Sequence, residues 1–337
     1  MKILVTILLA AMLFVSAFVC AGDLEPAAAP APTMKTLDEV EPRIPITQND
    51  IPLTISSPGS YYFTANLTAA STAILVQSDD VTIDLMGYSL SGTTGSGVYI
   101  SDASGIEIKN GTIRGFATAG IYVYSMGTTH GNMIYKLKVM GNGYGATMSG
   151  NANIADSCIF ADNTSNGLSL GTGGMIKNCT AYNNGSTGLA AGSNSSLIGN
   201  VSYSNGGSGV SGDYACTIKE NTVYGNTSAG IFANVGSMVL DNTIRYNNLG
   251  EADNLGGIRL SHHCVARGNT IYYNRVSGIY CYNYDNVIEN NFLSGSTYGI
   301  YFRAAGSCYV NNRFADISTL NVYNSASQTD GGGNISF

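Results

Sequence analysis

Charge is scarce in this chain: Asp, Glu, Lys and Arg make up 11% of its 337 residues, the fifteen basic side chains nowhere cluster, and the formal balance is -7. A nucleic-acid partner requires a basic stripe to neutralise phosphates, so that class is excluded, and neutral or weakly charged ligands are expected. Cysteine pairs at CxxC spacing are missing, which removes zinc-ribbon chemistry. No apolar run long enough to cross a bilayer follows residue 21, so no membrane insertion is expected. Helical periodicity is missing as well, and 42 glycines make a helical protein untenable. The chain is nevertheless too apolar for disorder, at 44% hydrophobic with 22 tyrosines.

The first 21 residues, MKILVTILLAAMLFVSAFVCA, read as a signal peptide: one early lysine, an apolar run and a small-residue exit before Gly22. The protein is therefore expected to be secreted, to the periplasm, the cell surface or the medium. Phe18 and Val19 are too bulky for lipidation at Cys20. Residues 22–44, with LEPAAAPAPT, read as an Ala/Pro-rich linker, and 45–337 as one domain whose first part, 45–72, is expected to be a capping hairpin.

What is abundant is repetition. Gly167, Gly188, Gly209, Gly230, Gly257, Gly278 and Gly299 each precede an aliphatic residue, at gaps of 21, 21, 21, 27, 21 and 21. Asn200, Asn221, Asn242, Asn269, Asn290 and Asn311 follow the same rhythm, so one six-residue insertion between Asn242 and Gly257 explains both columns. A third column, Ile176, Leu197, Ile218, Val239, Ala266, Val287 and Cys308, is apolar throughout. Three short inward-facing stretches per 21 residues, rich in Val, Ile and Tyr, predict an all-β parallel β-helix: a solenoid of about eleven coils with three strands each.

Coils stacked about 4.8 Å apart place residues of one phase directly over each other. The asparagines then form an inward ladder of side-chain amides, and the glycines are expected to permit a sharp bend. Sequons such as Asn178-Cys179-Thr180 are read as part of that ladder. The ladder column continues upstream as Cys179 and Cys158, close enough for a disulfide in an oxidising compartment, with stacked free thiols as the alternative.

VTIDLMGYSLSG at residues 81–92, IEIKNGTIRGF at 106–116 and the repeated N-x-x-x-x-N…G-I blocks resemble secreted bacterial right-handed parallel β-helix repeat proteins of the pectate-lyase-like superfamily, over about residues 45–325. The resemblance implies the handedness and a link to polysaccharides. Polygalacturonase-like members carry Asn-Thr-Asp, Asp-Asp, Gly-His-Gly and Arg-Ile-Lys blocks around paired acids; this chain has NTV, NTI and SHHC in their place, and its one Asp-Asp pair, Asp79-Asp80, stands without them. Pectate-lyase-like members gather carboxylates around calcium; no three-carboxylate column exists here, so no cofactor is expected, and calcium stays a possible ligand without a carboxylate cluster to support it.

Strand alternation turns Ser211, Phe232, Arg259, Tyr280 and Tyr301 outward as one column and Asp213, Asn234, Ser261, Tyr282 and Arg303 as a second. His262 and His263 follow Arg259, and the insertion adds Glu251 and Asp253. Tyrosine rings suit sugar faces and arginines suit carboxylates, so Phe232, Tyr282, Tyr301, Arg303, Glu251 and Asp253 are candidate substrate contacts, with His262, Tyr280 and Arg259 as candidate catalytic residues. The expected function is carbohydrate binding, with polysaccharide lyase or glycoside hydrolase chemistry if the chain is an enzyme. A non-catalytic surface or structural solenoid that mediates protein or glycan adhesion is the alternative. Glu220 and Asp241, one coil apart, form a weaker paired-acid candidate.

Overall fold

The structure, a computed structural model, describes residues 43–127, 129–250, 256–324 and 327–337. The expected signal peptide, nearly all of the linker, and Glu251 and Asp253 lie outside the described residues. From Ile44 onward the chain forms one unit built from parallel strand pairs.

One sheet takes one strand per coil, thirteen in all among the described residues, from Leu53–Ile55 to Leu320–Asn324. The second and third strands of each coil form a 25-stranded assembly, joined where they merge into Glu107–Arg114 and Met133–Met140. The expectation of eleven coils is too low. Residues 45–72 do not form a hairpin: Leu53–Ile55 pairs in parallel with Ile74–Val76, and Ile44–Ile46 in parallel with Tyr61–Phe63, so this segment is itself a coil. The next coils run longer than the regular repeat, as the pairs Val76 with Ile100 and Val123 with Met148 show, which hid them from a 21-residue search.

The string NTVYGN shows how a coil is made. Asn221 points inward, and Thr222–Tyr224 is a three-residue strand with Val223 buried. Gly225 takes a left-handed conformation (φ 65°) that turns the chain, and Asn226 points inward again. Two amide ladders result. Asn200, Asn221, Asn242, Asn269, Asn291, Asn312 and Asn334 form the first; the Asn221 amide donates to Asn242 Oδ1 at 2.9 Å and to the Leu197 carbonyl at 2.9 Å. Asn142, Asn163, Asn184, Asn205, Asn226, Asn247 and Asn274 form the second. Each ladder oxygen also accepts a backbone N–H from the coil before it, as Asn242 Oδ1 does from Asn221 at 2.9 Å. The buried polar groups at the corners are thereby paired along the stack.

Two expected columns slip by one residue. Asn291 and Asn312, not Asn290 and Asn311, continue the ladder, and Ile288 and Tyr309 replace Val287 and Cys308 over Ala266. Asn290 and Asn311 occupy the left-handed turn position instead, at φ 55°. The cause is a compensated shift. The turn after Cys281 is one residue longer than the one after Leu260, and the turn after Ser294 is one shorter than that after Tyr272. The glycine column keeps its 21-residue step while everything between the two turns moves.

Asn178 is exposed at the same left-handed turn position (φ 54°), so the sequon asparagine is not a ladder member; Cys179 is. The glycine column has another cause than the expected bend. Gly209, Gly230 and their equivalents have ordinary backbone angles, but a Cβ on Gly230 would fall 2.7 Å from both Asn247 Nδ2 and the Gly257 carbonyl oxygen. Close approach of the ladder excludes a side chain there. Cys158 and Cys179 are both buried free thiols, each donating to a backbone carbonyl at 3.3 Å.

Candidate functional site

The thirteen-stranded sheet carries the expected outward columns. Ser211, Phe232, Arg259, Tyr280 and Tyr301 are successive register partners, and Tyr323 extends the column by one coil. Backbone bonds from Ser261 to Ala233, Tyr282 to Leu260 and Arg303 to Cys281 set the second column beside it. The strands are held by inward Ile231, Ile258, Ile279 and Ile300, all fully buried, so the outward side chains stand on a rigid base.

These side chains meet. The Arg259 guanidinium lies 5.2 Å from the Phe232 ring centre and 4.9 Å from that of Tyr282, while Arg303 lies over Tyr282 at 4.5 Å. Tyr280 and Tyr301 are 5.2 Å apart, and Tyr301 stacks on Tyr323 at 4.5 Å. Arg303 is held above its ordinary pKa by the hydrogen bond to Tyr282, so its charge is secure. Among the described residues Arg259 has no carboxylate partner, and its buried Nε has no acceptor at all. An arginine held between aromatic faces keeps its outward N–H groups in one plane, suited to a carboxylate or paired hydroxyls.

The candidate catalytic set is less united. Tyr280 is only 3% exposed and forms the floor of the cluster; burial pushes its phenol up, which disfavours the phenolate a base would need. His262 sits in the following turn, its Nδ1 3.3 Å from Ser261 Oγ and its ring tilted on Tyr284 at 5.2 Å. His263 faces Asp285 at 3.4 Å. The geometry thus places the histidines with Tyr284 rather than against Arg259. Glu220 and Asp241 are exposed turn residues at φ 58° and 55°, and Lys219 bridges Glu220 at 3.1 Å.

Two aromatic members of the cluster escaped the sequence reading. Tyr298 packs edge-on to Tyr301 at 5.4 Å from the start of its strand, and Tyr323 lies 22 rather than 21 residues beyond Tyr301. Upstream the same column runs through Ser211, Ala190, Ser169 and Thr147 to Tyr122, which stacks on Tyr99 at 5.5 Å. Five coil steps of about 4.8 Å thus give a trough of small side chains about 24 Å long between two aromatic ends. Concavities of about 530 Å³ beside Gln48 and Pro52 and about 390 Å³ beside Arg114 and Asp162 are lined by other residues. The outward face is therefore long, with small side chains along its middle.

Comparison with known proteins bears on the fold. The family model described as "Right handed beta helix region" matches residues 63–196 and 126–263. No curated protein matches the sequence. Among solved structures, the A-module of Azotobacter vinelandii mannuronan C-5 epimerase AlgE6 superposes with a TM-score of 0.71 at 16% identity, covering 84% of this chain and 91% of that one. The AlgE4 A-module from the same organism gives 0.59 at 16% identity, with 82% and 91% covered. A double mutant of the periplasmic alginate epimerase AlgG gives 0.62 at 16% identity, covering 88% and 84%.

Proposed function

This chain belongs to the right-handed β-helix family, and from that premise we propose that it binds acidic polysaccharide along the outward face of its thirteen-stranded sheet. One observation carries the reading: Arg259 is clamped between Phe232 and Tyr282, with Arg303 on the far ring of the same cluster and no carboxylate opposing Arg259 among the described residues. A protein of net charge -7 that mounts two arginines on an aromatic floor presents a local exception to its own field. Uronate carboxylates meet the guanidinium groups, sugar faces meet Tyr301 and Tyr323, and the small-residue trough takes the rest of the chain. The neighbours titled as mannuronan or alginate epimerases support the substrate class. The residues 1–21 and the neighbour titled periplasmic support a place outside the cytoplasm.

Binding is favoured over catalysis because the groups proposed for proton transfer are a buried phenol and a histidine packed into the next turn. Titration calorimetry with polygalacturonate, alginate and neutral dextran tests the proposal. The Arg259→Gln/Arg303→Gln variant is expected to bind the two polyuronates about tenfold or more weakly, each lost guanidinium contact contributing on the order of 1 kcal/mol, with an unchanged melting temperature. Equal affinity of variant and native protein refutes the face. Ultraviolet detection of unsaturated products from the same polymers would reveal lyase activity and restore the enzymatic reading.

A further inference from the structure

A second aromatic cluster lies at a corner of the 25-stranded assembly. The turn position after its third strands is left-handed in coil after coil, and residues that tolerate that conformation fill it: Gly141, Asp162, Asn183, Ser204, Gly225, Gly295 and Asp316. Two consecutive coils break the pattern. Tyr246 and Tyr273 hold φ 53° and 54°, where a bulky side chain is sterically disfavoured. Both are half exposed, and their rings stack at 5.5 Å and 6°. Neither ring is burying itself in the core, so packing of the interior does not explain them.

Their surroundings are shaped for a ligand. Tyr272 stands edge-on to both rings, at 6.2 and 5.8 Å. Arg245, immediately before Tyr246, lies 5.0 Å over Tyr224 and donates from Nη1 to the Tyr272 hydroxyl at 2.9 Å, a bond that raises its pKa and secures its charge. Arg245 forms no ion pair with a described carboxylate. One side of the stack is closed, because Gly295 lies against the Tyr273 ring where any Cβ would collide. The other side is open: around the Cβ position of Gly225, one coil before Tyr246, only Ser204 comes within 4 Å. Tyr246 thus ends its stack facing a level with no side chain, beside a fixed cation.

We propose that this corner is a second binding site, taking one hexuronate unit with its ring face on Tyr246 and its carboxylate toward Arg245. The site is separate from the face proposed above and does not depend on it. The two sites lie on different sheets, so a protein carrying both engages an acidic glycan at two points. Calorimetry with a short oligogalacturonate tests this in the full chain. The Arg259→Gln/Arg303→Gln variant is expected to keep one binding site per molecule, and adding Tyr246→Asn/Tyr273→Asn to lower that residual affinity about tenfold or more. Because asparagine tolerates positive φ, the Tyr246→Asn/Tyr273→Asn variant is expected to melt at or above the native temperature. A clear fall in its melting temperature with binding unchanged overturns the proposal, since the tyrosines then serve the fold. In the Arg259→Gln/Arg303→Gln background, Arg245→Gln that leaves the residual affinity unchanged, or equal binding of a neutral oligoglucan, overturns the acidic assignment.

Discussion

The coils between Asn163 and Asn247 and those after Gly256 share one architecture and differ in what they tolerate. In the earlier set the step is 21 residues, the second amide ladder is continuous, and the outward column holds Ser169, Ala190 and Ser211 before Phe232. In the later set one turn gains a residue and another loses one, and the second ladder stops at Asn274, where the next coil offers Ser296 with an Oγ that has no partner. The arginines and most of the outward aromatic rings gather in that later set or beside it. The regular coils hold the second ladder whole, and the irregular coils hold the arginine and aromatic cluster.

That contrast can be broken at the ladder. Asn226→Ala removes the acceptor for the Asn205 backbone and amide N–H groups and the donor to Asn247 and Ser202. With each buried unpaired group costing about 1–3 kcal/mol, urea denaturation is expected to show a loss of roughly 3 kcal/mol or more. The unpaired end of the ladder offers the opposite experiment. Ser296→Ala deletes a buried hydroxyl without a partner, so the same measurement is expected to show no loss, or a gain of at most about 1 kcal/mol.

Alkaline pH has a smaller effect. Burial holds the Cys216, Cys264 and Cys281 thiols above their ordinary value of 9.0, and a hydrogen bond with Cys158 together with burial does the same for Cys179. Tyr203, Tyr280 and Tyr301 are raised above 10.0 by burial. The unfolded chain then releases protons that the folded one retains, so stability is complete below pH 9 and declines as pH rises through 9 and 10. Melting temperatures across pH 7–11 should fall only in that upper range; a fall on the acid side of 9 contradicts the assignment. The smallest effect is a null one. Native protein should react slowly with a thiol reagent at neutral pH at Cys158, Cys179, Cys216, Cys264 and Cys281, because all are buried.

The stack was readable from sequence because a solenoid repeats its constraints at fixed spacing: Gly167 through Gly299, and Asn200 through Asn269, are true columns. What the spacing concealed was compensated change. Val287 and Cys308 kept the 21-residue step yet lie beside the buried column, because two opposite length changes cancel within one coil. The coils before Gly145 were missed since their lengths vary, and the expected hairpin was a coil whose strands are too short to betray their direction. At the face, Arg259, Tyr280 and Tyr282 were found by alternation, whereas Tyr323 fell one residue out of step. Accessibility was beyond the pattern: alternation turned Tyr280 outward, and its own neighbours Arg259, Tyr282, Tyr301 and Arg303 bury it. Tyr246 and Tyr273 share the 27-residue step of that coil, but their significance lies in a backbone angle that spacing does not reveal.

If Arg259 and its aromatic clamp receive an acidic glycan, a crystal structure with a hexagalacturonate is expected to show a uronate carboxylate within hydrogen-bond distance of the Arg259 or Arg303 guanidinium, with sugar rings along the Tyr301 face. Ligand ordered only at sites away from this sheet, with the Arg259 cluster bare, would contradict it.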